Sequence, residues 1–257
     1  NFCDHLPPSA IKIFCRPLTA RSGSLKGTHM LKILIRVAIS IAVVAGLVYG
    51  GILLYTKVIN PPEGKLNEDD LSAIVSDSST LTQDAGITGT WLATNESTVG
   101  YRVKEVLGGV DTEGVGRTNQ VNGSLRIQET TLLTAVFEID VASIKSDSSK
   151  RDNQFTGNIM DVSTYPTADF VLTTPIDFGS IPLPGVQLTA IATGDLTLHG
   201  VTRSVTFEVT TEYASNVIGV LGSIDITFAD YGIANPSNAF VKTGDTGLLE
   251  FVLAFER

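Results

Sequence analysis

The residue types that most often carry enzyme chemistry are scarce in this chain and lie mainly at one end of it. Both cysteines, Cys3 and Cys15, and two of the three histidines, His5 and His29, occur before residue 30, so that His199 is the only histidine beyond that point. A Cys/His zinc site, a thiol nucleophile or a disulfide framework therefore cannot be built in the rest of the protein. A Ser-His-Asp triad would depend on His199 alone, and we expect that residue to be exposed in a turn.

Carboxylates are plentiful, and two of them could in principle hydrolyse a glycoside, which needs a pair of carboxyl groups beside the scissile bond. Glu138 and Asp140 share one face of a predicted strand, but alternation turns that face to solvent. Arg151 and Asp152 open a predicted helix, where an ion pair with backbone caps is the simpler explanation. We therefore predict that the protein is not an enzyme and has no catalytic and no metal-binding residues.

Composition and charge exclude further classes of protein. The 257 residues are 43% hydrophobic and 18% charged, as in an ordinary globular protein, and carry a net charge of −9. Binding nucleic acid by counterion release needs many basic groups, so nucleic acid is not an expected partner. The charge is uneven, because residues 1–36 carry six basic residues and one acidic residue. The two parts of the chain therefore suit different environments.

The segment from Val37 to Tyr55 contains nineteen residues without a charge, enough for a helix across the ~30 Å hydrocarbon core of a bilayer. Basic residues precede it and acidic residues follow it, so the positive-inside rule predicts a cytoplasmic N-terminus. A cleaved signal peptide is the alternative, but the run is long for one and no typical cleavage site follows. We predict a single-pass signal anchor over residues 37–58, with everything after it outside the cytoplasm.

The segments on either side of this anchor have different predicted roles. Residues 1–36 form a basic cytosolic tail, of which residues 1–29 could be non-native, because Met30 stands where a signal anchor would begin. Residues 59–88 contain two consecutive prolines and many Asp, Ser and Thr residues, so we expect a flexible linker with at most a brief helical turn. About 30 flexible residues reach roughly 30 Å. The folded domain is predicted to occupy residues 89–257.

In this domain the sequence consists of short runs rich in Val, Ile, Thr and Phe, separated by Gly, Asn, Asp and Pro. Apolar and polar residues alternate along the runs, which is typical of antiparallel strands with one face on a core. The clearest run predicts five inward residues: Leu133, Ala135, Phe137, Ile139 and Val141. The sequence therefore predicts an all-β domain, either a barrel or a sandwich.

One segment of the domain has a helical pattern. Ser149 and Asp152 have the spacing of a capping box, and Phe155 and Ile159 stand four residues apart behind them. The helix must end before Pro166, since the residue before a proline is pushed out of the helical region. A short helix between strands of a closed sheet would cover one mouth or one seam of a barrel.

Two longer motifs resemble signatures of the YceI-like family. Residues 151–175, RDNQFTGNIMDVSTYPTADFVLTTP, resemble a segment in which an Arg-Asp pair precedes a short helix, an aspartate, a Tyr-Pro pair and an apolar strand. Residues 194–209, GDLTLHGVTRSVTFEV, are similar to the signature G-x-L-T-x-x-G-V-T-R. Shorter matches occur in the family's order, among them a D-[FY]-G-[IV] motif at residues 230–233. The resemblance covers residues 89–257.

The resemblance implies an extended, lipocalin-like antiparallel β-barrel of about eight strands with a short helix, preceded by one transmembrane helix in a bacterial cell membrane. It also implies an apolar lumen that holds a polyisoprenoid or similar amphiphilic lipid, for sequestration or transport. With the alternation, it predicts the ligand-binding residues: Tyr101, Val103, Phe137, Ile139, Phe155, Ile159, Phe170, Leu198 and Phe207. We expect no cofactor apart from a bound polyisoprenoid or quinone-like lipid. The N-terminal helix is expected to contact the membrane, and a homodimer is left open.

Some positions depart from the family pattern. Glu96 and Glu105 stand where many members have histidine, and Phe228 stands where arginine is common, so polar contacts to a ligand head group are not carried over. An eight-stranded barrel can be filled by side chains or can hold one small ligand, and the sequence leaves both open. The alternatives to a lipid-binding barrel are a surface protein-interaction module with a solid β core and, less favoured, a carboxylate-dependent hydrolase.

Overall fold

The computed structural model describes residues 25–77, 86–180, 182–214 and 216–257. Most of the predicted basic tail, with both cysteines, lies outside these residues. The chain divides into two compact units, Asn1–Gly50 and Gly51–Arg257. Each unit is described below by itself.

Helix α1, Leu25–Leu54, begins in the first unit and continues in the second as one π-helical turn, Tyr55–Ile59. Helix α1 and this turn together contain the run His29–Ile59, which is long and apolar enough to cross a membrane. The most apolar part of the run is not buried in protein. The predicted anchor, residues 37–58, lies inside this run. A membrane anchor and a signal sequence both have this character and this position near the N-terminus.

Twelve antiparallel strands in the described part of the second unit form one sheet. They are β1 (Gly89–Ala93), β2 (Thr98–Leu107), β3 (Val110–Thr118), β4 (Val121–Gln128), β5 (Thr131–Asp140), β6 (Lys145–Ser146), β7 (Thr167–Leu172), β8 (Ile176–Asp177), β9 (Leu188–Leu198), β10 (Val201–Ala214), β11 (Val217–Thr227) and β12 (Val241–Glu256). Eight strands close a barrel in the order β1-β4-β5-β7-β9-β10-β11-β12, because β12 pairs with both β11 and β1. β2, β3 and β6 continue the sheet from the first part of β12. The predicted antiparallel barrel of about eight strands is confirmed.

Tight turns connect the long strands at one end of the barrel. His199 and Gly200 join β9 to β10 with φ angles of 50° and 72°, and Gly108 and Gly109 join β2 to β3 with φ angles of 56° and 87°. Two successive residues with positive φ are characteristic of the type I′ turn, whose twist matches that of the two strands it joins. These turns help to set the register that decides which side chains point into the barrel.

The alternation predicted for β5 is present along most of the strand but shifts by one residue near its start. Leu132, and not Leu133, lines the barrel interior, because the pairing of β4 with β5 changes register between Arg126 and Ile127. A bulge of this kind adds one unpaired residue, which an alternation pattern does not reveal. The predicted inward position of Leu133 is therefore wrong, whereas the pattern from Ala135 onward is confirmed.

The expectation of a flexible linker over residues 59–88 does not hold for the described part of that segment. Helix α2, Glu68–Asp77, packs on β10, β11 and β12. Leu71 and Val75 are 0% and 1% exposed. They lie over Gly219, where an added Cβ would come within 2.6 and 2.8 Å of their side chains. The two apolar side chains therefore pack directly on the backbone of β11 at Gly219, and Ser72 Oγ adds a hydrogen bond to Glu212 Oε2 at 2.9 Å.

Helix α3, Ser149–Gln154, continues as a π-helical turn, Phe155–Ile159, so the predicted short helix is present. Its start differs from the predicted capping box. Ser148 occupies the N-cap position, and the Asp152 carboxylate accepts hydrogen bonds from the backbone N and the Oγ of Ser146 at 2.8 and 2.7 Å. Asp152 thus ties the helix to β6 instead of capping its first turn.

Candidate functional site

The interior of the barrel is not filled by side chains and holds a cavity of about 260 Å³. An apolar cavity of ~150 Å³ is already large enough to take up a benzene molecule. The nine residues predicted as ligand-binding all line this cavity: Tyr101, Val103, Phe137, Ile139, Phe155, Ile159, Phe170, Leu198 and Phe207. Their role in binding a ligand stays a prediction. A barrel with this cavity does not have the solid core of the protein-interaction alternative.

Five phenylalanine rings form a continuous chain of contacts, and four of them, Phe137, Phe170, Phe207 and Phe251, line the cavity. Phe255 lies 5.6 Å from Phe137 between ring centroids, and Phe137 lies 6.2 Å from Phe170. Phe170 then meets Phe207 edge to face at 5.5 Å, and Phe207 meets Phe251 edge to face at 6.0 Å. These are normal distances for aromatic pairs, which gain energy beyond simple burial. The chain presents an apolar surface with few polar groups to a molecule inside the barrel.

Glycines in the wall decide where some of these rings lie. Gly123 is directly opposite Phe137 on the neighbouring strand, and a Cβ added there would lie 2.4 Å from the Phe137 ring. Gly222 and Phe251 form a second pair of this kind, with 2.5 Å between the added Cβ and the ring. Each ring therefore occupies the space of the missing side chain and lies against the wall. This packing of rings over glycines was not predicted from the sequence, although a glycine inside a strand often marks a position where another group approaches the backbone closely.

Helix α3 and its π-helical turn lie at one end of the cavity. We call this end the mouth. Phe155 stacks on Tyr101 with 4.7 Å between ring centroids and an angle of 20° between the rings. Ile159 lines the cavity beside them. Burial raises the pKa of the Tyr101 phenol to about 12. The prediction that a short helix covers one mouth of a barrel agrees with this arrangement.

A half-buried ion pair supplies the main polar groups at the mouth. Arg151 Nη2 lies 3.6 Å from Glu105 Oε2, and Arg151 also pairs with Asp147. Burial raises the pKa of the Glu105 carboxyl, and the charge of Arg151 partly opposes that rise. Gly114 leaves room for the pair, since an added Cβ would lie 2.9 Å from Glu105 Oε1. The expected ion pair between Arg151 and Asp152 is therefore wrong, because Asp147 and Glu105 are the partners of Arg151.

A second, more polar cleft of about 540 Å³ adjoins the mouth from outside. The residues that line both the lumen and this cleft are Glu105, Arg151, Ile159, Pro236 and Thr243. The opposite wall of the cleft includes Tyr55, Thr56 and residues 60–63, which follow directly on the end of the apolar run. An apolar lumen that opens into a polar cleft suits a molecule with a long apolar part and a polar end.

His199, Glu138 and Asp140 were considered for catalysis from the sequence, and none of them lines the cavity. His199 is half-buried and not exposed as expected, because its ring packs against Tyr165 at 4.6 Å and its Nδ1 lies 3.3 Å from the carbonyl oxygen of Tyr231. Glu138 and Asp140 are both exposed, as the alternation predicts. Among the residues that the structure describes, no group of three or more His, Cys, Asp and Glu side chains could hold a metal ion.

The sequence matches the protein-family model for the YceI-like domain over residues 91–255. A UPF0312 protein of Pseudomonas putida (strain W619) is 33% identical over 106 residues, which are 38% of this chain and 52% of that protein. A UPF0312 protein of Vibrio parahaemolyticus is 30% identical over 127 residues, which are 46% of this chain and 64% of that protein. The chain spans about half of the length of the Pseudomonas putida relative it matches.

Two solved structures share the fold. A polyisoprenoid binding domain from Saccharophagus degradans, implicated in plant cell wall breakdown, superposes with a TM-score of 0.54 at 17% identity, over 66% of this chain and 99% of that one. BcnA from Burkholderia cenocepacia superposes with a TM-score of 0.51 at 22% identity, over 63% of this chain and 98% of that one. At these identities the likeness extends to the fold alone.

Proposed function

The chain belongs to the YceI-like family, and from that premise we propose that it holds a polyisoprenoid or similar amphiphilic lipid in its barrel, outside the cytoplasm and tethered to the membrane. The observation that carries the proposal is the apolar cavity, which shares the Arg151–Glu105 ion pair with a polar cleft at the mouth. Sequestration and transport of the lipid are both compatible with such a site.

The chemistry of the cavity favours a long apolar ligand. Burial of apolar surface is worth roughly 25 cal/mol per Å² and needs no directional contact. The aromatic chain of Phe137, Phe170, Phe207 and Phe251 supplies such a surface. The ion pair of Arg151 with Glu105 would then lie next to the polar end of the ligand. The polyisoprenoid-binding domain of Saccharophagus degradans has the same fold, which supports the proposal without identifying the lipid.

The location of the protein is proposed from the apolar run His29–Ile59. Basic residues precede the run and acidic residues follow it, which favours a single-pass protein of a bacterial cell membrane with the N-terminus in the cytoplasm. Processing of the run as a signal sequence would instead release the barrel. Protease added to spheroplasts would remove the barrel from a protein with the proposed topology.

Lipid binding is tested with the full chain, extracted from membranes in mild detergent and analysed by organic extraction and mass spectrometry. Ala192 and Ile191 are neighbours on β9, the first 4% exposed in the lumen wall and the second 58% exposed outside. The wild type and the control Ile191→Phe should carry a long-chain lipid, whereas Ala192→Phe fills the lumen and should lose it. The proposal fails if the wild type carries no lipid and takes up no added polyprenol.

A further inference from the structure

Exposed apolar side chains lie on two segments that flank the outer cleft, whose lining includes Tyr55 and Phe240. Phe240, Val58 and Ile59 are 81%, 68% and 66% exposed, and Tyr55 is 48% exposed. We call these four residues, together with the β2–β3 turn at Gly108, the mouth rim. Large apolar side chains at this level of exposure interact unfavourably with water, and a contiguous set of them typically marks an interaction surface.

The mouth rim is held together by contacts within the second unit. Lys57 Nζ donates a hydrogen bond to the backbone carbonyl of Asp111 at 2.9 Å, just after the β2–β3 turn. The backbone N of Gly108 donates to the carbonyl of Phe240 at 3.3 Å. Ile52 touches the same turn so closely that a Cβ added at Gly108 would lie 2.7 Å from its Cδ1. The last residues of the apolar run therefore lie on the turn, and Phe240 lies beside it.

The pairing of β2 with β12 places the mouth rim close to the mouth. Leu107, the residue before the turn, pairs with Val241, and Glu105 pairs with Thr243. Glu105 and Thr243 line both the lumen and the outer cleft. Along the two strands, Gly108 and Phe240 of the mouth rim are thus only three residues from Glu105 and Thr243 at the mouth.

We propose that the mouth rim docks on the surface of the bilayer that the apolar run enters, so that the mouth opens directly onto the lipid phase. The inference rests on the proposed function, since it assumes a membrane-anchored, lipid-binding barrel. The run ends at Ile59. A tyrosine such as Tyr55 is favoured at the boundary between hydrocarbon and water, and the exposed Phe240 ring gains free energy when it is buried among acyl chains. A lipid would then pass from the bilayer into the lumen without exposing its apolar chain to water.

Tryptophan fluorescence tests the docking without any ligand. Trp91 is the only tryptophan of the chain and is 0% exposed, so the wild type supplies a constant background. The control position Leu183 is 72% exposed and lies at the opposite end of the barrel, where Gly185 donates a hydrogen bond to the carbonyl of Tyr213. Full-length Phe240→Trp and Leu183→Trp are each reconstituted in phosphatidylcholine vesicles with and without bromine on the acyl chains.

Bromine should quench the added emission of Phe240→Trp at least about twofold and leave that of Leu183→Trp unchanged, because a side chain at the boundary reaches the acyl chains. Equal quenching of the two variants would overturn the docking. Loading of a fluorescent polyprenol from the same vesicles should be about tenfold slower for Phe240→Asp than for Leu183→Asp, because the rim loses an apolar anchor. Loading from detergent solution should be the same for both.

The two proposals fail in different ways. If no variant and no wild-type protein loads the polyprenol from vesicles or from detergent, the proposed function is wrong, while the quenching of Phe240→Trp still decides whether the rim docks. If all proteins load at the same rate from vesicles and quenching is equal at both positions, lipid binding stands and the docking is overturned.

Discussion

The two faces of the neighbouring strands β2 and β12 have opposite chemistry. On the inner face, Tyr101 pairs with Leu249, and both line the apolar cavity. On the outer face, the next residues along the two strands are Arg102 and Glu250, whose side chains lie 3.2 Å apart. The first face acts through burial, which has no preferred direction, and the second acts through hydrogen bonds, which need a defined geometry.

The outer face is buried although it lies on the solvent side of the sheet. Glu250 is 1% exposed and Arg102 is 8% exposed. Arg117 Nη2 lies 2.7 Å from Glu250, and Arg102 Nη1 lies 2.6 Å from Glu113. Both arginines also donate to the backbone carbonyls of residues 63–64, which cover them. One wall thus separates a lumen suited to a variable ligand from a charged cluster that holds the segment before α2.

The largest effect is expected in the outer cluster. Glu250→Leu leaves two buried or half-buried guanidinium groups without their shared carboxylate, and loss of one partner of a buried pair costs about 3–5 kcal/mol. Chemical denaturation of the full chain in detergent, followed by Trp91 fluorescence, measures the change. Glu208→Leu, at an exposed position on β10, is the control. An equal loss of stability in both variants would contradict a special role of the buried charged cluster in holding the fold.

A smaller effect is expected in the lumen wall. The Cβ of Gly123→Ala would overlap the Phe137 ring and the carbonyl of Val136, at 2.4 and 2.7 Å. Overpacking of this kind costs about 1–3 kcal/mol, and displacement of the ring into the lumen should lower lipid occupancy. The double variant with Phe137→Leu should recover part of both losses, because leucine lacks the ring.

Gly157 provides the control for this substitution, since no atom lies within 4 Å of a Cβ added there. Gly157→Ala should leave stability and lipid occupancy unchanged or slightly improved. If Gly123→Ala behaved in the same way, the glycine would have no part in keeping the ring against the wall. Denaturation and extraction of bound lipid give the two measurements.

The smallest effect concerns pH. Because burial raises the pKa of the Glu105 carboxyl, the folded state binds this proton more tightly than the unfolded state does. Its contribution to stability is therefore complete at pH below the ordinary glutamate value and is lost as pH rises through the raised value. Glu105→Gln should remove this contribution, so that the difference in unfolding free energy between the two proteins changes by about 1 kcal/mol or less from pH 4 to 7. A constant difference across this range would contradict the raised pKa.

Local patterns predicted the inner face well because alternation depends only on neighbouring residues. The predicted lumen residues on the strands, from Tyr101 on β2 to Phe207 on β10, all line the cavity, as do Phe155 and Ile159, which were predicted from the spacing of a helix. The inward position of Leu132 depends on its pairing with β4, which alternation along one strand does not contain. The partners of Arg151 depend in the same way on β2, because Glu105 approaches from another part of the chain.

The outer surface was harder to predict because its burial comes from distant segments. Leu71 and Val75 appear in a stretch of linker-like composition, and their docking surface, Gly219, lies far along the sequence. Arg102 and Glu250 occupy solvent-side positions and are buried only because residues 63–64 cover them. A polar residue on an outer face gives no local signal of such a cover.

The position of β12 has a consequence for synthesis of the protein. β12 comes last among the ring strands along the chain and pairs with β11, β2 and β1. Its pairing with β1 joins Glu256 to Leu92 and Phe255 to Ala93. The ring therefore cannot close while β12 is still being made, and its closure joins strands that are far apart in sequence, which is slow. Until then the inner face of every earlier strand is exposed, and the chain is most prone to aggregation and most dependent on chaperones during that interval.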